Sequence, residues 1–151
     1  MLLSQLLTPQ RIRIPLAAVD NPAALRELVA MVAQDDQMAA ADLLLAVEER
    51  EAVLSTGIGH GVAIPHGRSG KVREVLVSAG VSAAPIEYGS LDGAPVRLFF
   101  LLIGPENEAG IHVRALSRIS RLVRQPIVRE LLLKATTNEE FHRRLCEAEG
   151  P

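Results

Sequence analysis

Three features predict an α/β fold, a three-layer α/β/α domain with a mixed β-sheet between its helices. Amphipathic helical patterns occupy both ends of the chain, strand-like patterns including a continuous apolar run fill the middle, and no polar linker or internal repeat divides the 151 residues. A chain of this length holds one domain of ordinary size, taken here as residues 1–151. The element order expected is β-α-α-β-β-β-α-α-α.

Arg11 to Leu16 alternates basic and aliphatic side chains, which suits a strand near a sheet edge. Asp20 or Asn21 then caps a helix with Pro22 in its first turn, and Leu25, Leu28, Val29 and Val32 recur on one face. A second helix follows from about Ala39 to Glu51, with Leu43, Leu44 and Val47 inward. Between Ser55 and Gly70 the pattern turns glycine-rich, and only Val62 to Ile64 reads as strand. Glu74 to Val81 alternates apolar residues, Leu91 to Pro95 reads as a turn, and Val96 to Ile103 has the unbroken apolar character of a central strand covered on both faces. Three helices close the chain: Ile111 to Arg124, Pro126 to Lys134, and Asn138 to about Glu147 behind a Thr137 or Asn138 cap.

Composition narrows the function. Sixteen Lys and Arg against 18 Asp and Glu give a formal charge of −2, and aromatic residues make up only 3% of the chain, so neither a basic field nor stacking platforms favour nucleic acid. Cys146 is the single cysteine, which excludes an internal disulfide or a Cys-based zinc site and fits a cytoplasmic protein. Met1 to Leu7 has no basic leader and meets Thr8-Pro9 early, and Leu98 to Ile103 is far shorter than the roughly 20 residues of a membrane span. No membrane insertion is expected.

Chemistry centres on the histidines. His66 lies between Pro65 and Gly67 at the end of a short apolar strand, a setting that presents an imidazole with little freedom. His112 opens a helix, where free backbone N–H groups favour an anion, and Arg50 ends the helix before the glycine-rich stretch, where it can brace phosphate oxygens or satisfy helix carbonyls. Ser55, Thr56, Gly57, Gly59 and Gly61 are candidate anion contacts in the loop. The spacing is neither a Walker loop nor a dinucleotide fingerprint, since Val72 follows Gly70-Lys71 and Val62 takes the third glycine's place. His60 reads as a loop-tip residue and His142 as a surface residue of the last helix. Arg114, Arg118 and Arg121 share one helix face, either solvated or a docking stripe for an acidic partner. A metal hydrolase built on His60, His66 and His112 is disfavoured because no HExxH or carboxylate cluster accompanies them, and no GxSxG elbow supports a serine hydrolase.

The run Arg50-Glu51 followed by Ser55-Thr56-Gly57-Ile58-Gly59-His60-Gly61-Val62-Ala63-Ile64-Pro65-His66-Gly67 strongly resembles the active-site signature of the enzyme IIA component of bacterial phosphotransferase systems (PTS), mannitol/fructose class, which includes the nitrogen-regulatory IIA proteins. Ser90 to Val96, His112 to Ser117 and Thr137 to Phe141 agree in order, so the likeness covers nearly the whole chain. The resemblance implies a phosphohistidine carrier of the PEP-dependent system, a phosphotransferase component without cofactor or metal. His66 would take a phosphoryl group from phospho-HPr, or from its nitrogen-type paralogue, while His112 and Arg50 stabilise it. Onward transfer would go to a IIB domain; the alternative is a regulatory binding module that contacts a target protein according to its phosphorylation. His60 stands where the family commonly has a small polar residue such as Asn.

Overall fold

A six-stranded mixed sheet separates two apolar cores. The computed structural model describes residues 2–33 and 37–150, so Met1 and Pro151, the ends of the expected domain, lie outside the described residues. In chain order come α1 (Leu3–Leu6), a 3₁₀ turn (Pro9–Arg11), β1 (Ile12–Leu16), α2 (Asn21–Ala33) and α3 (Gln37–Val53). Five strands follow, β2 (Gly57–Gly59), β3 (Val62–Ala63), β4 (His66–Ser69), β5 (Leu76–Ile86) and β6 (Val96–Pro105). The last helices are α4 (Ala109–Val123), α5 (Pro126–Leu133) and α6 (Asn138–Glu149).

The strands lie in the order β1-β5-β6-β3-β2, and β4 continues beside β6 beyond β3. β1 runs parallel to β5, β5 antiparallel to β6, β6 parallel to β3 and β4, and β2 antiparallel to β3. Because side chains alternate along a strand, β6 feeds both cores at once. Leu98, Phe100 and Leu102 join Ile119, Leu132 and Phe141 from α4, α5 and α6, whereas Phe99, Leu101 and Ile103 join Leu28, Leu43 and Val47 from α2 and α3. Each of these β6 side chains is fully buried, as its unbroken apolar run requires.

Several local expectations change. The Ser55–Gly70 stretch holds three short strands rather than one, formed by backbone pairing that its glycines do not advertise. β5 extends past Val81 to Ile86 because its ladder resumes after an irregularity, where Ile86 pairs Val96. The N-terminus forms α1, which anchors Leu3 and Leu7 in the core and whose Leu3 and Ser4 amides donate to Glu149 at 2.6 and 2.8 Å. Asp20 caps α2 by accepting from Ala23 N at 2.9 Å, and Thr137 caps α6 by accepting from Glu140 N at 3.0 Å. His142 is not a plain surface residue: its Nε2 donates to the Ser4 carbonyl at 2.9 Å, tying α6 to α1.

Candidate functional site

His66 is the first residue of β4, paired with Leu102 on β6 and therefore facing the α4 side of the sheet. Gly67, next along, faces α3: a Cβ there would lie 3.1 Å from the Ala46 backbone. Glycine thus lets α3 approach closely and bring Arg50 near the strand end. Arg68 returns to the face of His66. Its partner on β6 is Gly104, where a Cβ would lie 2.5 Å from His112 Nδ1, so the missing side chain makes the berth for that ring. The two imidazoles stand 5.8 Å apart between centroids, tilted by 52°.

An open cleft of about 520 Å³ joins these groups, lined by Arg50, His66, Arg68 and His112 together with Glu49 and Glu106. The structure therefore brings together His66, His112 and Arg50. Arg50 Nη1 also donates to the Leu54 carbonyl at 2.7 Å, closing the end of α3. α4 begins at Ala109, two residues earlier than expected, so the His112 amide is paired with the Glu108 carbonyl at 3.4 Å and is not one of the free N–H groups of the helix start.

Both rings are neutral near pH 7. Burial lowers the pKa of His66 from 6.5; the Ile64 hydrogen bond and Glu51 pull it back up, while Arg50 lowers it further. Burial, His66 and Arg68 together push His112 from 6.5 to about 4. His66 Nδ1 lies 2.7 Å from the Ile64 carbonyl, and since a carbonyl only accepts, Nδ1 carries the proton. Nε2 is left with its lone pair. His112 Nδ1 is buried with no partner among the described residues, and an unpaired lone pair is cheaper there than an unpaired N–H, which puts the His112 proton on Nε2.

The loop residues named as anion contacts do not line the cleft. Ser55 Oγ accepts from Gly57 N at 3.1 Å, and Thr56 is buried with its amide and hydroxyl on Glu51. Gly59, His60 and Gly61 form the β2–β3 turn with φ of 97°, 57° and 76°, and the His60 amide donates to Asp92 at 3.1 Å. A positive φ explains why Asn would suit the place of His60. His60 does not line the cleft either. Of the arginines along α4, Arg118 pairs with Glu149 at 2.7 Å, while Arg114 and Arg121 are exposed. Three charged cleft residues escaped the sequence reading, Glu49, Arg68 and Glu106; the i, i+2 spacing of Arg68 from His66 on a strand was the available signal for Arg68.

Fold and site define a three-layer α/β/α domain that presents a half-buried, oriented imidazole beside a second, buried imidazole and two guanidinium groups. The chain belongs to the family described as phosphoenolpyruvate-dependent sugar phosphotransferase system, EIIA 2, whose pattern matches residues 5–148. A nitrogen regulatory protein of Bradyrhizobium diazoefficiens is 37% identical over 133 residues, covering 85% of each chain. The PTS system fructose-specific EIIA component of Haloferax volcanii is 35% identical over 113 residues, covering 75% of this chain and 71% of that one. Among solved structures, nitrogen regulatory protein IIA-Ntr from Neisseria meningitidis superposes with a TM-score of 0.88 at 29% identity, covering 95% of this chain and 98% of that one. IIA mannitol in its complex with phosphorylated IIB mannitol, from Escherichia coli, shares the fold with a TM-score of 0.72 at 18% identity, over 90% and 94% of the two chains. Among the described residues no helix is long and apolar enough to cross a membrane.

Proposed function

We propose that the chain, as one domain over residues 1–151, is a cytoplasmic phosphohistidine carrier that takes a phosphoryl group on Nε2 of His66 from phosphorylated HPr or its nitrogen-type paralogue. The observation that carries this reading is the 2.7 Å bond from His66 Nδ1 to the Ile64 carbonyl, which fixes the ring and leaves Nε2 free. The Nε2 lone pair forms the new N–P bond as the donor's P–N bond breaks, and that electron pair returns to the donor's imidazole. His66 keeps its Nδ1 proton, so the phosphorylated ring is cationic and the Ile64 carbonyl stabilises it. Arg50, Arg68 and the Nε2–H of His112 stabilise charge on the equatorial oxygens. No step uses a metal or cofactor.

Onward use of the phosphoryl group follows one of two routes: transfer to a IIB domain, or state-dependent contact with a regulated protein. Similarity to nitrogen regulatory proteins over most of the chain, and the TM-score of 0.88 with IIA-Ntr, support the regulatory route. Incubation with phosphoenolpyruvate, enzyme I and HPr should give one acid-labile phosphate per chain, absent from His66→Ala. Equal labelling of that variant refutes the assignment. Retention of a target by only one phosphorylation state supports regulation, and transfer to a IIB domain supports transport.

A further inference from the structure

We propose that Glu51 is the positioning residue of His66, acting through Thr56 and the Ile64 peptide. Glu51 stands half-buried near the end of α3, next to Arg50. Its Oε2 accepts the Thr56 amide at 2.9 Å, and its Oε1 accepts the Tyr88 hydroxyl at 2.8 Å together with that of Thr56. The Thr56 carbonyl accepts Ile64 N–H at 2.9 Å, and the Ile64 carbonyl accepts His66 Nδ1–H at 2.7 Å. Hydrogen bonds therefore lead residue by residue from buried Tyr88 to the ring of His66.

One missing ladder bond explains why the carboxylate is needed. β2 and β3 are antiparallel, with Gly57 opposite Ala63, so Thr56 and Ile64 are placed as the next pair. A hydrogen-bonded antiparallel pair exchanges two N–H···O bonds. Thr56 and Ile64 make only one, Ile64 N to Thr56 O, because the Thr56 amide is turned to Glu51. The Ile64 carbonyl is thereby left open to the imidazole. On the other side Leu102 N binds the Pro65 carbonyl at 3.0 Å, so the peptide carrying this acceptor is held from both flanks. Without Glu51 the Thr56 amide closes onto Ile64 O and competes with His66, and a ring no longer held exchanges its proton between nitrogens. Only the tautomer with a bare Nε2 attacks phosphorus. Carboxylate charge works in the same direction, since Glu51 favours a cationic His66 ring, the form that phosphorylation creates.

Long-range ¹H–¹⁵N spectra of the full chain near pH 8 report the His66 tautomer with no donor present. Wild type should show Nδ1–H, and Glu51→Ala a mixture of tautomers. This second readout rests on the proposed phosphoryl carrier: with phosphorylated HPr, the initial labelling rate of Glu51→Ala should fall about tenfold. Glu51→Gln can accept from the Thr56 amide while donating to the two hydroxyls, so it should restore the Nδ1–H tautomer and a rate within about threefold of wild type. Should Glu51→Ala not fold, the Thr56→Val/Tyr88→Phe double variant strips both hydroxyls from the carboxylate, and the same tautomer mixing with a rate loss of at least about threefold is expected. Wild-type tautomer and rate in Glu51→Ala or in that double variant overturns the proposal, as does a Glu51→Gln rate as low as that of Glu51→Ala with the tautomer unchanged. If wild type takes up no phosphoryl group, the carrier reading fails by itself, and the tautomer comparison still decides the role of Glu51.

Discussion

Acid should destabilise this fold through His112 before it reaches the carboxylates. Burial first, then the charges of His66 and Arg68, hold its folded-state pKa at about 4, against 6.5 for an unhindered ring. As pH falls through 6.5 the unfolded chain takes up a proton that the folded chain refuses. Stability is therefore full above about 6.5, declines between there and about 4, and loses nothing more from this group below that. At about 1.4 kcal/mol for each tenfold difference in proton affinity, the whole loss comes to about 3 kcal/mol. His66, also held below its ordinary value, adds to the decline in the same sense. Urea unfolding of wild type and His112→Gln at closely spaced pH values from about 7.5 to 4.5 measures the difference, because titrating groups not coupled to His112 cancel in the comparison. The wild-type curve should fall more steeply than the variant's by about 2–3 kcal/mol over that range. Parallel curves, or a wild type that gains stability on acidification, would refute the claim that His112 is buried neutral.

Three further outcomes follow from contacts already described. Gly104→Ala places a methyl 2.5 Å from His112 Nδ1, so the ring must leave its berth; denaturation should show a loss of about 1–3 kcal/mol, and labelling of His66 should slow. Glu149→Gln weakens the junction of α1, α4 and α6, where burial raises the carboxyl pKa but bonds from Arg118 and from the Ser4 and Leu3 amides outweigh it and leave it lowered. The cost should be about 1–2 kcal/mol by urea unfolding at pH 7, a contribution that in wild type disappears as pH falls below the ordinary 4.5. His60→Gly relieves a non-glycine residue at φ 57° and should raise stability by a few tenths to about 1 kcal/mol with labelling unchanged; a loss of labelling would assign His60 a part in the site.

Helices and cores were legible wherever side-chain period reports burial. Leu25, Leu28, Val29 and Val32 point inward as their spacing requires, and β6 is buried on both faces as its apolar run requires. Boundaries and short strands were not, since β2, β3 and β4 exist through backbone pairing among glycines, and a glycine has no side chain to carry a pattern. Within the site, His66, His112 and Arg50 were visible as residue types in suggestive places. Arg68 was hidden because nothing marked His66 as the start of a strand, and the i, i+2 rule applies only once that is known.

Register carries the last step from pattern to chemistry. β3 and β4 lie on β6 without a slip, Val62 opposite Leu98 and His66 opposite Leu102, so together they form one strand line interrupted at Ile64-Pro65. Thr56 gives its N–H to Glu51, so the Ile64 carbonyl meets an open edge where an uninterrupted sheet would have a ladder. An edge carbonyl two residues before an imidazole accepts its Nδ1 proton, and that bond orients a histidine at a strand end with its Nε2 left bare. The glycine-rich signature thus serves the site from outside the cleft. It ends pairing at the right residue and holds the turn of β2 and β3 against Asp92, while Arg50, Arg68 and His112, which line the cleft, come from α3, β4 and α4.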